Sequence, residues 1–530
     1  MAVNVECIKA LALQNIILSS EFTADNGDWT KGTGWTVDAG NSNRADAVAA
    51  TGSLSQTVAP LTSGISYRTR IIVGATGADK IVVVCGTQAG TARGSGNFYE
   101  DIAANGTGYS IRPATVGEGG TGVFTGWVDS ALAVALRETF SFSGFGTPKA
   151  ATLEFAGSVV DIESAGGGIS LGLTDGTRQY CVMGGSESGV TTSDSYRRIS
   201  NTGCIGFVSS SDGTIQELGS FHSFTTDSVT INWMAGGTFI GINGIGVPLN
   251  ITLFGGSDLS AYAIDVTSHP VKLNAVTVTP NFLVDNVYVL THGSLTAFNT
   301  TGDGMKLGVG FADRGSATFI SLNMLSTDNV ATTDIRNLVA SAAAAAQPSD
   351  GPAITIGTYT ATDFKVRTKG DGGSAIYVML CLAYNIAVSH WIGILDSPTS
   401  TGAWDPSVGF KPQYMKMYPN GGTVVDSTLL GDSTGAGSFS VSSFTATSAR
   451  TCHHRDKDAV TTTQTASIVT DRPINSWSGA NAVLHTGTLD QFGAVGPEFT
   501  LTAANATVRK WPGWAIGANP SGRSYGFIIG

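Results

Sequence analysis

Phe145-Gly-Thr-Pro148-Lys-Ala-Ala-Thr-Leu-Glu-Phe-Ala-Gly157, Val276-Thr-Val-Thr-Pro280-Asn-Phe-Leu-Val-Asp-Asn-Val-Tyr288 and Val408-Gly-Phe-Lys-Pro412-Gln-Tyr-Met-Lys-Met-Tyr-Pro419 share one layout, a proline followed by an alternating apolar stretch. The prolines stand 280 − 148 = 132 and 412 − 280 = 132 residues apart. Alternation of this kind predicts a strand with one buried face. The period exceeds solenoid and propeller units and is long enough for a domain with its own core.

Two later landmarks keep the same register. Phe224-Thr-Thr-Asp-Ser-Val-Thr-Ile-Asn-Trp-Met234, Tyr359-Thr-Ala-Thr-Asp-Phe-Lys-Val-Arg-Thr368 and Phe492-Gly-Ala-Val-Gly-Pro-Glu-Phe-Thr-Leu-Thr502 each read as an aromatic, a polar turn and a strand. Closing strands follow at Pro248–Gly256, Ser374–Tyr384 and Ala506–Gly517. These landmarks predict three tandem copies of one β-sandwich over residues 138–265, 266–395 and 396–530, with loops of unequal length.

Composition agrees with an all-β chain. Of the 530 residues, 13% are charged, against about a quarter in ordinary soluble proteins. Hydrophobic residues reach 42%, which argues against disorder. Asn-Gly and Asp-Gly pairs, among them Asp175-Gly176 and Asp212-Gly213, supply turns that join antiparallel strands. One stretch, Asp334–Ala346 ahead of Pro348, predicts a helix.

A net charge of −11 with no basic run argues against nucleic-acid binding. No apolar run is long enough to predict membrane insertion. Met1-Ala-Val-Asn-Val-Glu lacks the positive region of a signal peptide, which predicts a product made in a cytosol. Cys7, Cys85, Cys181, Cys204, Cys381 and Cys452 form no Cys-x-x-Cys pair and are expected as buried free thiols.

Catalytic patterns are weak. Gly-x-Ser-x-Gly occurs at Gly168–Gly172 and Gly431–Gly435, but neither precedes a helix as a nucleophile elbow must. No enzymatic activity and no cofactor are predicted. Thr451-Cys-His-His-Arg-Asp-Lys-Asp458 holds metal-ligand types at Cys452, His453, His454, Asp456 and Asp458. Strand alternation would send His453 and His454 to opposite faces, so no metal site is predicted. This segment lines up with Asp194–Ile199 and Asp334–Leu338, which carry arginines but no ligand set.

Residues 1–137 stand outside the repeat and read as a separate sandwich. The order of Gly34-Trp35, Gly108-Tyr109 and Phe124-Thr-Gly-Trp127-Val-Asp129 resembles the carbohydrate-binding-module-like jelly rolls of phage tail and appendage proteins. Gly409-Phe410-Lys411-Pro412 is similar to the Gly-Phe-x-Pro strand that opens β-sandwiches in phage virion proteins; the first unit keeps Phe145 and Pro148, the second only Pro280. The resemblance implies a virion protein exposed on the particle, a tail, fibre or spike component attaching to host glycan. It also implies contacts with other virion proteins and with copies of itself, as a trimer. A purely structural decoration or connector protein is the alternative, and a carbohydrate-active enzyme with accessory modules a third. Sugar rings stack on aromatic faces while carboxylates and amides bond hydroxyls. Trp29 beside Asp25, Asn26 and Asp28 is the densest such cluster, and Tyr99 and Tyr109 are further candidates. Trp35 and Tyr67 are expected in the core.

Overall fold

The structure, a computed structural model, describes residues 2–7, 22, 27–38, 44–56, 61–141, 145–156, 164–165, 167–187, 194–209, 211–234, 249–256, 259–268, 275–293, 295, 297–326, 336–341, 343–344, 353–369, 375–384, 389–419, 429–430, 436–446, 449–457, 466–477 and 482–517. Strands form nearly all of it, and Val116–Glu118 is the one helical turn among the described residues. The all-β expectation holds. The chain forms two compact units, one of residues 12–138 with 240–246 and one of the rest.

The first unit is a sandwich of two five-stranded antiparallel sheets. One has the order Trp29–Lys31, Leu54–Gln56, Tyr109–Pro113, Ile81–Cys85, Gln88–Ala89. The other has the order Trp35–Asp38, Arg44–Ala50, Phe124–Ala135, Ser66–Ala75, Gly96–Ala103. Every strand but Gln88–Ala89 gives side chains to a single core that includes Trp35, Tyr67, Ile71, Ile111 and Phe124. The Trp35 indole donates to the Gly52 carbonyl at 2.9 Å and stacks on Phe124, as its core role requires.

The second unit holds three large sheets of seven strands each. The first runs Ala2–Cys7, Leu249–Gly255, Pro148–Ala156, Gly167–Thr174, Gln179–Ser186, Ser195–Ser200, Thr300–Asp303. The second runs Leu259–Ser268, Ile376–Tyr384, Asn286–Thr291, Met305–Asp313, Thr318–Ser326, Arg336–Ala340, Leu429–Leu430. The third runs Ser389–Asp396, Lys510–Gly517, Pro412–Met417, Ala436–Thr445, Ala449–Lys457, Ala466–Thr470, Ser164–Ala165. Read across the three, every position is filled in the same chain order. Smaller sheets complete the set, built on Ser228–Met234, Phe364–Lys369 and Pro497–Ala503.

The central strands of each large sheet are buried on both faces. Along Asn286–Thr291, Tyr288 and Leu290 enter a core shared by all three large sheets. Val287 and Val289 enter a separate core with Ile354, Ile356, Phe364 and Val366 of the neighbouring small sheet. The third repeat divides its residues the same way: Trp514 and Ile516 join the shared core, Trp511 and Ala515 a local one. Double burial explains why Ile376–Tyr384 is almost wholly apolar rather than alternating.

Several expectations are corrected. Pro148 and Pro412 begin strands, but the matching strand of the second repeat begins at Asn286, so Pro280 is equivalent in sequence and not in space. Residues 1–137 are not one continuous module, because Ala2–Cys7 pairs along Leu249–Gly255 of the first repeat. The chain then builds the sandwich and returns. The boundaries at 265 and 395 fall inside the strands Leu259–Ser268 and Ser389–Asp396. The helix expected at Asp334–Ala346 is instead the strand Arg336–Ala340, held between ladders to Thr318–Ser326 and Leu429–Leu430. The backbone after it packs closely on the sheet: a Cβ on Gly310 would stand 1.6 Å from the Ala344 carbonyl oxygen. Tertiary pairing overrides helix propensity there. Ala449–Lys457 is the fifth strand of its sheet, whereas Ser195–Ser200 and Arg336–Ala340 are sixth strands, so the alignment of the Cys-His-His segment was one strand out of register.

Candidate functional site

The sandwich leaves the outer face of the sheet containing Ser66–Ala75 free of its core. On that face Trp127 stands opposite Asp46 on one side and Gly74 on the other. Gly74 makes the seat: an added Cβ would lie 2.1 Å from Trp127 Cε2, so the indole lies flat against the strand. The Arg44 guanidinium sits 4.9 Å from the ring centroid, and its Nε donates to Asp46 Oδ1 at 2.8 Å. Trp127 is half-buried.

A second cluster lies on the same face. Arg70 stands opposite Tyr99, with its guanidinium 5.8 Å from the ring centroid and its Nε donating to Asn97 Oδ1 at 3.2 Å. Tyr99 is exposed, as is Asn97. Arg68 beside them pairs with Asp101 at 3.0 Å, whereas Arg70 meets no carboxylate among the described residues. Gly74 and Arg70 are four residues apart on one strand, roughly 13 Å at strand rise. Aromatic platforms and hydrogen-bonding side chains therefore alternate over the span of a short chain of sugar rings.

The sequence-derived candidates divide. Tyr99 belongs to this face. Trp29 is 4% exposed and packs against Phe22 at 5.2 Å and Tyr109 at 6.2 Å. Tyr109 is 1% exposed, and burial pushes its phenol well above the usual range. Both are core residues, because parity along Trp29–Lys31 and Tyr109–Pro113 turns them inward. Asp28 is half-buried, and Asp25 and Asn26 lie outside the described residues. Sequence reasoning missed Trp127, Arg44, Asp46, Arg70 and Asn97. Parity against the core residues Phe124 and Val128 was the available signal, since alternation between them turns Trp127 to the opposite face.

The other chemical motifs do not assemble a site. Ser170 of the first Gly-x-Ser-x-Gly lies buried in mid-strand, its Oγ accepting the Gly206 N–H at 3.2 Å. Residues 431–435 lie outside the described residues. His453 and His454 alternate on a buried strand, and His453 Nδ1 bonds with Ser440 Oγ. Burial pushes both imidazoles down, His454 to about 4. No cluster of three or more His, Cys, Asp or Glu that could hold a metal occurs among the described residues. Cys85, Cys181, Cys204, Cys381 and Cys452 are buried free thiols. No helix among the described residues is long and apolar enough to cross a membrane.

Comparison with family models, curated proteins and solved structures finds no match for this chain. The geometry of the face therefore carries the functional reading.

Proposed function

We propose that this protein is a non-catalytic, particle-exposed phage virion component that binds host-surface glycan through the outer sheet face of its N-terminal sandwich. The observation that carries the binding reading is Trp127 seated on Gly74 with the Arg44 guanidinium over its ring and Asp46 opposite it, in line with the Arg70–Asn97–Tyr99 cluster. A sugar packs against the open edge of the indole, Asp46 and Asn97 bond hydroxyls, and Arg70 takes a carboxylate or sulfate on a neighbouring sugar. The virion assignment rests on the resemblance of the sandwich to phage appendage modules.

Full-length protein on an array of neutral and acidic glycans tests this reading. Binding lost in Trp127→Ala, with acidic ligands weakened selectively in Arg70→Met, is the expected outcome. Absence of binding to any host-surface glycan, or binding unchanged in Trp127→Ala, would leave the structural decoration or connector role instead.

A further inference from the structure

We infer that the three repeats form a single-chain trimer, a ring closed within one polypeptide by cyclic strand exchange. In each repeat the segment after the third strand of the large sheet donates a short strand to the preceding repeat. Thr300–Asp303 of the second repeat pairs with Ser195–Ser200 of the first. Leu429–Leu430 of the third pairs with Arg336–Ala340 of the second. Ser164–Ala165 of the first pairs with Ala466–Thr470 of the third. The cycle returns to its start after three steps, the condition under which a head-to-tail interface makes a ring rather than a filament.

The opposite sheet edges are covered in the same rotational sense. The Asp175 carboxylate in the first repeat accepts the Ile264 N–H at 3.0 Å, and the Arg178 guanidinium donates to the Ile264 carbonyl. Those two side chains stand in for a neighbouring strand on the edge of the second repeat's sheet. In the second repeat the equivalent turn residue Asp313 holds His390, on the edge strand of the third, at 2.6 Å.

The centre explains why one chain is used. Each repeat contributes a different residue from its third strand: Glu154, Tyr288 and Lys416. Lys416 Nζ donates to Glu154 Oε1 and, at 2.9 Å, to Thr152 Oγ1. The same nitrogen lies 5.4 Å from the Tyr288 ring centroid. Both charged side chains are fully buried. Three identical subunits would bring three like residues to this place and leave buried charges unpaired. Only repeats that differ, joined in fixed order, satisfy it. The homotrimer implied by resemblance to phage fibres is on this reading built inside one chain.

Paired cysteines in the full-length protein test closure in cis. Arg198 and Thr301 are Cα partners across the first exchange, and their side chains already meet at 3.0 Å. Oxidised Arg198→Cys/Thr301→Cys is expected to run as one chain on a denaturing, non-reducing gel at all protein concentrations. A ladder of cross-linked dimers and higher species would show exchange between chains and overturn the inference. A protease site inserted between Ser268 and Ala275 gives an independent readout: the cut pieces are expected to co-elute until denaturant is added. Separation under native conditions would equally overturn the ring.

Discussion

The N-terminal sandwich and the repeat ring are built from the same kind of strand but differ in where their polar residues go. In the sandwich most strands have a dry side and a wet side, as Tyr109–Pro113 shows, with Ser110 and Arg112 turned out between buried neighbours; Ile81–Cys85, buried throughout, is the exception. In the ring the central strands of the large sheets are dry on both sides, so polar side chains on them must find partners inside. Glu154 and Lys416 pair with each other, and His292, His453, His454 and His485 are buried. All seven histidines of the chain lie in the repeats and none in residues 12–138. A one-sided sheet can spare its outer face for a ligand. A two-sided sheet spends its polar chemistry on holding its own assembly together.

The largest effect expected is at the ring centre. Lys416→Met leaves Glu154 buried without its cation, a loss on the order of 3–5 kcal/mol for a broken buried pair. The double variant Lys416→Met/Glu154→Leu should recover most of that stability. Hydrogen exchange resolved by peptide should place the loss in the repeats and spare residues 44–135. Equal loss in both regions would break the comparison.

Trp29→Ala reverses the experiment. Its indole fills the sandwich core, so the substitution should cost about 3 kcal/mol there. Peptides from the repeats should keep their protection. A Trp29→Ala protein of unchanged stability would return that residue to the list of binding candidates.

Acid should separate the two regions without mutation. Burial holds the imidazoles of His292 at about 3 and of His454 and His485 at about 4, and that of His453 well below its ordinary value. An unfolded histidine titrates near ~6.5, so below that pH the unfolded chain binds protons that the folded ring refuses. Ring stability is therefore complete at neutral pH and falls as pH drops from ~6.5 toward 4. Asp313 adds a later loss: burial would raise its carboxyl, but hydrogen bonds from His390 and Ser316 outweigh that and hold it at about 2. Its contribution disappears as pH falls from about 4 toward 2. Denaturation profiles at pH 7 and pH 5, followed by region, should show the ring weakening while the histidine-free sandwich changes least.

The smallest expected effect on stability comes from Trp127→Ala, within about 0.5–1 kcal/mol for a half-exposed side chain outside the core. Glycan binding should nevertheless be lost. Gly74→Ala sharpens the point, since its Cβ would displace the indole from its seat while Trp127 remains present. Binding that survives both changes would move the site off this face.

Much of the architecture was legible in the chain. Asn-Gly and Asp-Gly turns, apolar runs and the recurring landmarks gave an all-β class and a threefold repeat, and Trp35 and Tyr67 fell where alternation put them. The candidate site was legible only in Tyr99. A polar turn before Trp29 suggested exposure, but sheet pairing with Leu54–Gln56 turned that ring inward. Alternation from Phe124 to Val128 turned Trp127 outward, but the glycine that seats it is on another strand.

Local steric and hydrophobic preferences act between near neighbours, so sequence alone determined strand character, turn positions and the presence of three similar units. Partner choice between strands far apart in the chain depends on which edges and faces meet after collapse, and no local pattern encodes that. Tertiary structure alone therefore decided that Ala2–Cys7 joins the repeats, that Arg336–Ala340 is a strand despite the alanine run that follows it in sequence, and that each repeat lends a strand to another. It also decided that Glu154, Tyr288 and Lys416 meet in one buried centre.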